Sequence, residues 1–267
     1  MQLVIPTHQR VQRQTTLNAL PAVLQKQTIL VASLRDEARQ LRALHPQVKD
    51  VVVAPVKSIA EKRQWILDNI NADSVFMLDD DMTFFGRCPV EQRTFRDGRW
   101  RPQAGVKGMS IDYIPAQRLI ATFKLLANNL KRNYAHAGIS SRLGNDLEPD
   151  EVRIGPQRMM HALGYRCEVL RQNNIRFDAV PVREDFHVTL ELLKRKYPSL
   201  VVYDVCVSPG NYGASGGCTE ERTVARSDLA AATLARLHPG LVRVVDKSYK
   251  NVPRKEVVVS WKKAFTQ

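Results

Sequence analysis

Three carboxylates, Asp79, Asp80 and Asp81, stand side by side directly after the apolar run Val75-Phe76-Met77-Leu78. Adjacent like charges repel, so the cluster calls for positive charge among its members. A divalent cation of the Mg2+ or Mn2+ type, held by one or two carboxylates and by substrate phosphates, is the usual answer. In an extended chain alternate residues face opposite ways, which puts Asp79 and Asp81 on one side as metal ligands and Asp80 on the other. A polar loop with helix-capping aspartates is the plain alternative.

Three further groups carry chemistry of the same kind. Pro6-Thr7-His8-Gln9-Arg10 follows the apolar Leu3-Val4-Ile5, and its hydroxyl, imidazole and guanidinium could hold a nucleotide with its diphosphate. An ordinary polar turn would read the same. Lys62 and Arg63 fall near the start of a helix, whose positive end could meet a diphosphate, although such pairs commonly face water. Glu184 and Asp185 open a later helix. They either complement its dipole or include the carboxylate that orients or deprotonates an attacking hydroxyl.

These groups need a frame that brings residues 6–10, 62–63, 79–81 and 184–185 together. Residues 3–5, 28–32, 51–54 and 75–78 read as strands, the first and third ended by Pro6 and Pro55. Between them, Leu17, Leu20, Val23 and Leu24 mark one helix face, and residues 35–44 form a second helix with Ala38 and Leu41 inward and Leu44 as a further inward candidate. Ser58-Ile59-Ala60-Glu61 is a capping box opening a third helix to about Ile70. Alternating strands and helices predict an α/β fold with a mostly parallel sheet flanked by helices, whose ligands bind at the carboxyl ends of the strands. No Gly-x-Gly-x-x-Gly or Gly-x-x-x-x-Gly-Lys turn is present, so phosphate binding falls to a metal and to basic side chains.

Beyond residue 90 the pattern loosens. Helices are predicted over 116–130, from 184–185 to Pro198, and over 227–237 as the last one; strands over 134–140 and 200–207; an edge at 177–181; and a Gly-rich loop at 211–217. With no repeat and no linker, one domain spans 1–267, made of a first part over 1–90 and a second over 91–267 with C-terminal additions.

Forty basic residues against 27 acidic ones leave a net charge of +13, which points to a polyanionic partner, nucleic acid before an anionic membrane surface. Arg93, Arg96, Arg99 and Arg101 interleave with Phe95 and Trp100. Arginines there can neutralise phosphates while a ring stacks on a base; a hairpin with inward rings and solvated arginines is the alternative. Residues 243–263 add seven more basic side chains. Cys88, Cys167, Cys206 and Cys218 are too widely spaced for a zinc ribbon or redox pair. No basic leader and no stretch of about 20 apolar residues is present. A reducing cytoplasmic setting is expected, the host's if the gene belongs to a phage.

The ordered set of a Val-Ile-Pro-Thr turn, an Asp-x-Asp after the fourth strand and a Glu-Asp opening a later helix resembles GT-A glycosyltransferases over roughly residues 1 to 210. More narrowly, Met77-Leu78-Asp79-Asp80-Asp81-Met82, the Gly213-to-Cys218 loop and the basic surplus are similar to the phage TET/JBP-associated, base J-type enzymes that modify DNA. The resemblance implies a nucleotide-sugar donor, UDP-glucose or UDP-GlcNAc, and Mn2+ or Mg2+ on Asp79 and Asp81. It places Pro6, Thr7, His8, Arg10, Lys62, Arg63, Asp79 and Asp80 around the donor and Glu184 or Asp185 at the acceptor. The acceptor it implies is a hydroxymethylated pyrimidine in double-stranded DNA. Acceptors on glycans or proteins, and a basic binding module without catalysis, stay open. Many members take a further metal ligand, often histidine, from the C-terminal region; here His238 lies in a helix-ending His-Pro-Gly turn.

Overall fold

The first four strands are β1 (Gln2–Pro6), β2 (Thr28–Ala32), β3 (Asp50–Val53) and β4 (Ser74–Leu78), and they pair in parallel in the order β3-β2-β1-β4. Each of β1, β2 and β4 is buried along its whole length, as expected of strands covered on both faces. The crossovers are α1 (Thr15–Ala19) with α2 (Ala22–Gln25), α3 (Arg35–Leu44) and α4 (Ile59–Asn69). The computed structural model describes residues 1–97, 99–105, 110–111, 114–142, 151–210, 223–249 and 252–267. The 211–217 and Gly213-to-Cys218 readings lie outside them.

The capping box forms as expected. Ser58 Oγ accepts from Glu61 N at 3.2 Å, and Glu61 Oε2 accepts from Ser58 N at 3.0 Å, which holds the Glu61 carboxyl below its ordinary range. The helix expected around Leu17 to Leu24 is instead two short ones separated at Pro21, which cannot donate within a helix. Val23 is consequently 45% exposed while Leu17, Leu20 and Leu24 are buried.

The second half makes the sheet mixed. After β5 (Met82–Arg87), β6 (Arg93–Arg96), β7 (Arg99–Pro102), β8 (Ser110–Ile111) and α5 (Ala116–Arg132) come β9 (His136–Ser141), β10 (Val152–Gly155) and β11 (Ala162–Arg166). Then follow α6 (Cys167–Gln172), α7 (Glu184–Lys194), β12 (Ser199–Pro209), α8 (Val224–Leu237), β13 (Val242–Tyr249), β14 (Val252–Val259) and α9 (Trp261–Thr266). The main sheet runs β3-β2-β1-β4-β11-β9-β12-β5-β8, with β10 also on β12. Strand β11 is antiparallel to both β4 and β9, while β9 and β12 are parallel.

Gly164 permits the β4–β11 seam: a Cβ there would stand 2.5 Å from Phe76 Cδ2 and 2.7 Å from Leu130 Cδ1. Phe76 instead meets Phe123 edge-to-face, with centroids 5.4 Å apart, tying α5 to the sheet. One core lies under α3 and α5, another under α4 and α6, and a third joins α7, α8 and α9. The expected edge at 177–181 is a 3-10 turn over Phe177–Ala179, and α9 follows the helix expected to be last. Cys88, Cys167 and Cys206 are buried, and Cys218 lies outside the described residues. Among the described residues no helix is long and apolar enough to cross a membrane.

Candidate active site

Parallel neighbours β1 and β4 end at the same edge of the sheet, so the segments following them meet. Strand β4 stops at Leu78. Asp79 N still donates to His161 O at 3.0 Å, and Asp80 and Asp81 then turn the chain into β5. Asp80 points inward and is 5% exposed. Its Oδ2 accepts from Thr7 Oγ1 at 2.7 Å and its Oδ1 from Arg10 Nη1 at 2.6 Å. Burial pushes this carboxyl up to about 6, against the pull of Thr7 and Arg10. Arg10 Nη1 also lies 2.9 Å from Asp81 Oδ2. Gln14 fixes the arrangement, its Nε2 donating to Thr7 Oγ1 and Arg10 O at 2.9 Å each.

A second ion-pair chain starts from Asp79. Arg63 Nη2 donates to Asp79 Oδ1 and Arg63 Nη1 to Glu184 Oε1, both at 2.7 Å. Burial disfavours the Arg63 cation, but Glu184, Asp79 and Asp185 outweigh it and hold its pKa above the ordinary arginine value. His161 Nδ1 lies 2.8 Å from Asp79 Oδ2. Burial pulls that ring down, yet the hydrogen bond and charge of Asp79 raise it above the ordinary histidine value, which favours the imidazolium form beside the carboxylate. His161 has φ +64°, a left-handed conformation uncommon outside glycine, which accompanies the inward turn of its ring and carbonyl toward Asp79. Arg183, which precedes Glu184, is also left-handed at φ +67°.

The chain itself supplies part of the positive charge that the acidic triplet calls for, through Arg10, Arg63 and the His161 ring. For Lys62 and Arg63 the plain alternative, a pair facing water, does not hold. Both are buried, and Lys62 Nζ donates to Thr7 O at 2.7 Å and Ser33 Oγ at 2.6 Å. Glu184 is buried against Arg63, whereas Asp185 is half-buried, its charge felt by Arg63, His161 and Arg158. Pro6 contributes backbone as the last residue of β1, and His8 Nδ1 sits 3.7 Å from Glu37 Oε1.

Donor chemistry fits a hard cation at the turn. Asp79 has both oxygens engaged, while Asp81 meets Arg10 through Oδ2 and keeps 28% of its side chain exposed, the most open of the three. His238 is not at this turn. Its ring is fully buried against His187 and near Glu191, so it is not the C-terminal ligand considered for this metal. His161, Gln14 and Tyr165 were missed. Tyr165 Oη is buried without a hydrogen-bond partner among the described residues, close enough to feel the charges of Arg63, Asp185 and Glu184. No periodicity marks a lone His before a strand; pairing Ala162–Arg166 with β4 is the signal that would have found it.

The basic-aromatic segment is the β6–β7 hairpin, in which Phe95 pairs with Trp100 and Arg96 with Arg99. Arg93 is corrected: it is buried, with Nε donating to Cys88 O at 2.6 Å, and it anchors the hairpin instead of facing solvent. Phe95 and Arg96 are exposed, and Arg101 is exposed 3.8 Å from Asp97. The side chains of Arg99 and Trp100 lie outside what the structure describes.

Comparison with known proteins bears on the fold and the family. The chain is 24% identical over 255 residues to beta-glucosyl-HMC-alpha-glucosyl-transferase of Enterobacteria phage T6, covering 91% of this chain and 83% of that protein. Glucosyl-3-phosphoglycerate synthase of Mycobacterium tuberculosis, solved with Mn2+, UDP and glucosyl-3-phosphoglycerate, superposes with a TM-score of 0.55 at 12% identity, covering 97% of this chain and 86% of that one. A second structure of that synthase, with Mg2+ and UDP, gives 0.54 at 13% identity, covering 95% and 89%. The fold is thus of the GT-A type. Residues 1–211 match the TET-associated glycosyltransferase family, and the chain, a glycosyltransferase, belongs to that family.

Proposed function

We propose that the enzyme moves a sugar from a uridine diphosphate donor to a hydroxymethylated pyrimidine in double-stranded DNA, with Mn2+ or Mg2+ at Asp81 and Asp79. The observation that carries this reading is the carboxylate turn at the carboxyl edge of β4, joined to the end of β1 in a chain of this family. The donor and metal draw support from the UDP, Mn2+ and Mg2+ in the named structures. The acceptor draws support from the phage relative's name and from the net charge of +13.

When bound, the cation would offset charge gathering on the departing diphosphate. The chain's own residues do the rest. Arg10 and Thr7 hold Asp80 inward, which leaves Asp79 and Asp81 as the more exposed carboxylates of the turn. Pro6, Thr7 and His8 form the nucleotide side, and the buried charges of Lys62 and Arg63 lie beneath the diphosphate. Arg63 ties Asp79 to Glu184 and thereby fixes the start of α7. Glu184 is the positioning group, and Asp185, the more open carboxylate, receives the proton of the acceptor hydroxyl. Residues 1–90 supply the donor side and residues 91–267 the acceptor side.

Transfer from labelled UDP-glucose, with UDP-GlcNAc as the comparison donor, tests the reading on duplexes carrying cytosine, hydroxymethylcytosine or glucosylated hydroxymethylcytosine, and on glycans. Transfer confined to modified duplexes, dependent on Mn2+ or Mg2+ and lost in Asp81→Asn with the melting temperature kept, is the expected result. Equal transfer to unmodified DNA, transfer to glycans alone, or full activity in EDTA would overturn it.

A further inference from the structure

Helix α7 carries two groups that the transfer reaction does not use. His187 and Glu191 are four residues apart, so their side chains share one face of the helix. Facing them is His238, the residue that ends α8. Its backbone N–H donates to Leu234 O, and its carbonyl accepts from Leu241 N and Val242 N, which fixes its main chain. His187 Nδ1 lies 2.9 Å from His238 Nε2, and His238 Nδ1 lies 3.6 Å from Glu191 Oε1. One ligand atom from each residue falls within 4.8 Å of the other two.

We propose that His187, Glu191 and His238 form a binding site for a transition-metal ion of the zinc class, distinct from the carboxylate turn. Two imidazoles and one carboxylate are a ligand set for Zn2+ or Co2+, whereas all-oxygen sets suit Mg2+ and Mn2+. His238 Nδ1 is fully buried and has no hydrogen-bond partner among the described residues, the state of a nitrogen waiting for a ligand. Burial also favours neutral rings at both histidines, the form that ligates.

Glu191 is at present held by Lys194, at 2.7 Å, and by Arg195. Both are partly exposed side chains that can swing into water when a cation takes the carboxylate. A cavity of about 500 Å3 lined by Leu237, His238, Pro239 and Leu241 opens beside the ring and can supply a water as the fourth ligand. A metal here would lock the helix that begins with Glu184 and Asp185 to the junction of α8 with β13, across the contact that already buries Leu190 and Leu234.

The test uses the full chain, stripped with a chelator and then given one equivalent of Zn2+ or Co2+. Wild type and Asp81→Asn should each retain one Zn2+ per chain through gel filtration, melt at higher temperature with Zn2+, and show the visible absorption of tetrahedral Co2+. His187→Gln should bind Zn2+ at least ~100-fold more weakly and lose the Co2+ bands. Glu191→Gln, a half-buried position that leaves the core intact, should weaken binding in the same direction. Circular dichroism on the same samples checks that each variant is folded. Loss of the Co2+ bands in Asp81→Asn, or bands and stoichiometry unchanged in both folded α7 variants, would overturn the assignment.

Discussion

The carboxylate turn and the β6–β7 hairpin are both dense in charge, yet water treats them differently. At the turn, Asp80, Arg10, Lys62, Arg63 and Glu184 are all buried, and the charges hold one another across four segments of the chain. Among the described residues of the hairpin Arg93 is buried, while Arg96 and Arg101 stand in solvent, Arg101 lying 3.8 Å from an Asp97 that is itself 84% exposed. Buried pairs are costly to break because the surviving partner stays desolvated; exposed pairs contribute little. The turn therefore couples fold to chemistry, and the hairpin is free to serve a partner without affecting stability.

The hardest blow to that coupling is Arg63→Met, which leaves the buried Glu184 and the half-buried Asp79 without their shared cation. The expected cost is about 3–5 kcal/mol of stability together with loss of transfer. Chemical denaturation reads the first and single-turnover transfer the second. A variant that keeps stability within about 1 kcal/mol of wild type would show that the two ends of the chain are not coupled through Arg63.

Within α7, Asp185→Asn should slow single-turnover transfer by about 10²–10⁴-fold with donor affinity kept, the signature of a group needed in the transition state. Glu184→Gln should instead lower the melting temperature, because it loosens the partner of a buried arginine. The opposite assignment of rate and stability between the two variants would exchange their roles.

Burial can also be tested where no chemistry is at stake. His136 on β9 is fully buried, and desolvation lowers its pKa to about 4 from the ordinary 6.5, despite its contact with Tyr197 O at 3.1 Å. A depressed histidine favours the folded state while neutral, so its contribution is complete above pH 6.5 and is lost as pH falls toward 4. The 2.5-unit difference corresponds to about 3 kcal/mol. Stability curves of wild type and His136→Gln between pH 7 and pH 4 should converge by that amount. Parallel curves would mean that the buried ring does not govern this pH dependence.

The parallel half was legible because β1, β2 and β4 are continuous apolar runs, and proline or a capping box marks their ends. Ser58 and Glu61 fixed α4 from the sequence, and β4's termination in acids located the turn. In the second half the helices expected at 116–130, 184–198 and 227–237 and the strands at 134–140 and 200–207 were legible as α5, α7, α8, β9 and β12, whereas β11 and its pairing were not, for physical reasons. Residues 162–166 read Ala-Leu-Gly-Tyr-Arg, too short and too mixed to announce a strand, and the fit depends on Gly164 lying against Phe76, a contact over 88 residues of sequence. His161 was invisible for the same reason: only the pairing of β11 with β4 brings it to Asp79. Burial of Lys62, Arg63 and Arg93 was equally hidden, since a cation's partners, here Glu184, Asp79 and a carbonyl, lie far along the chain or on the backbone.

The smallest effect expected belongs to the hairpin, and it is the sharpest test of the contrast. Replacing Arg96 and Arg101 together by alanine removes two exposed cations and leaves the buried Arg93 in place. If the hairpin meets phosphates, log Kd for modified duplex plotted against log salt should flatten by about 2, and affinity should fall about tenfold at moderate salt. The melting temperature should not move, because neither side chain is buried, and donor hydrolysis without DNA should continue, because the turn is untouched. Arg93→Ala should do the reverse, lowering stability by about 1 kcal/mol through loss of its bond to the Cys88 carbonyl while leaving the salt slope unchanged. Trp100→Ala adds a second axis, reducing transfer more than binding if its ring supports an unstacked base. An unaltered slope in the double variant would make the hairpin a solvated ornament and move the DNA contact elsewhere, the seven basic side chains of residues 243–263 being the next surface to test.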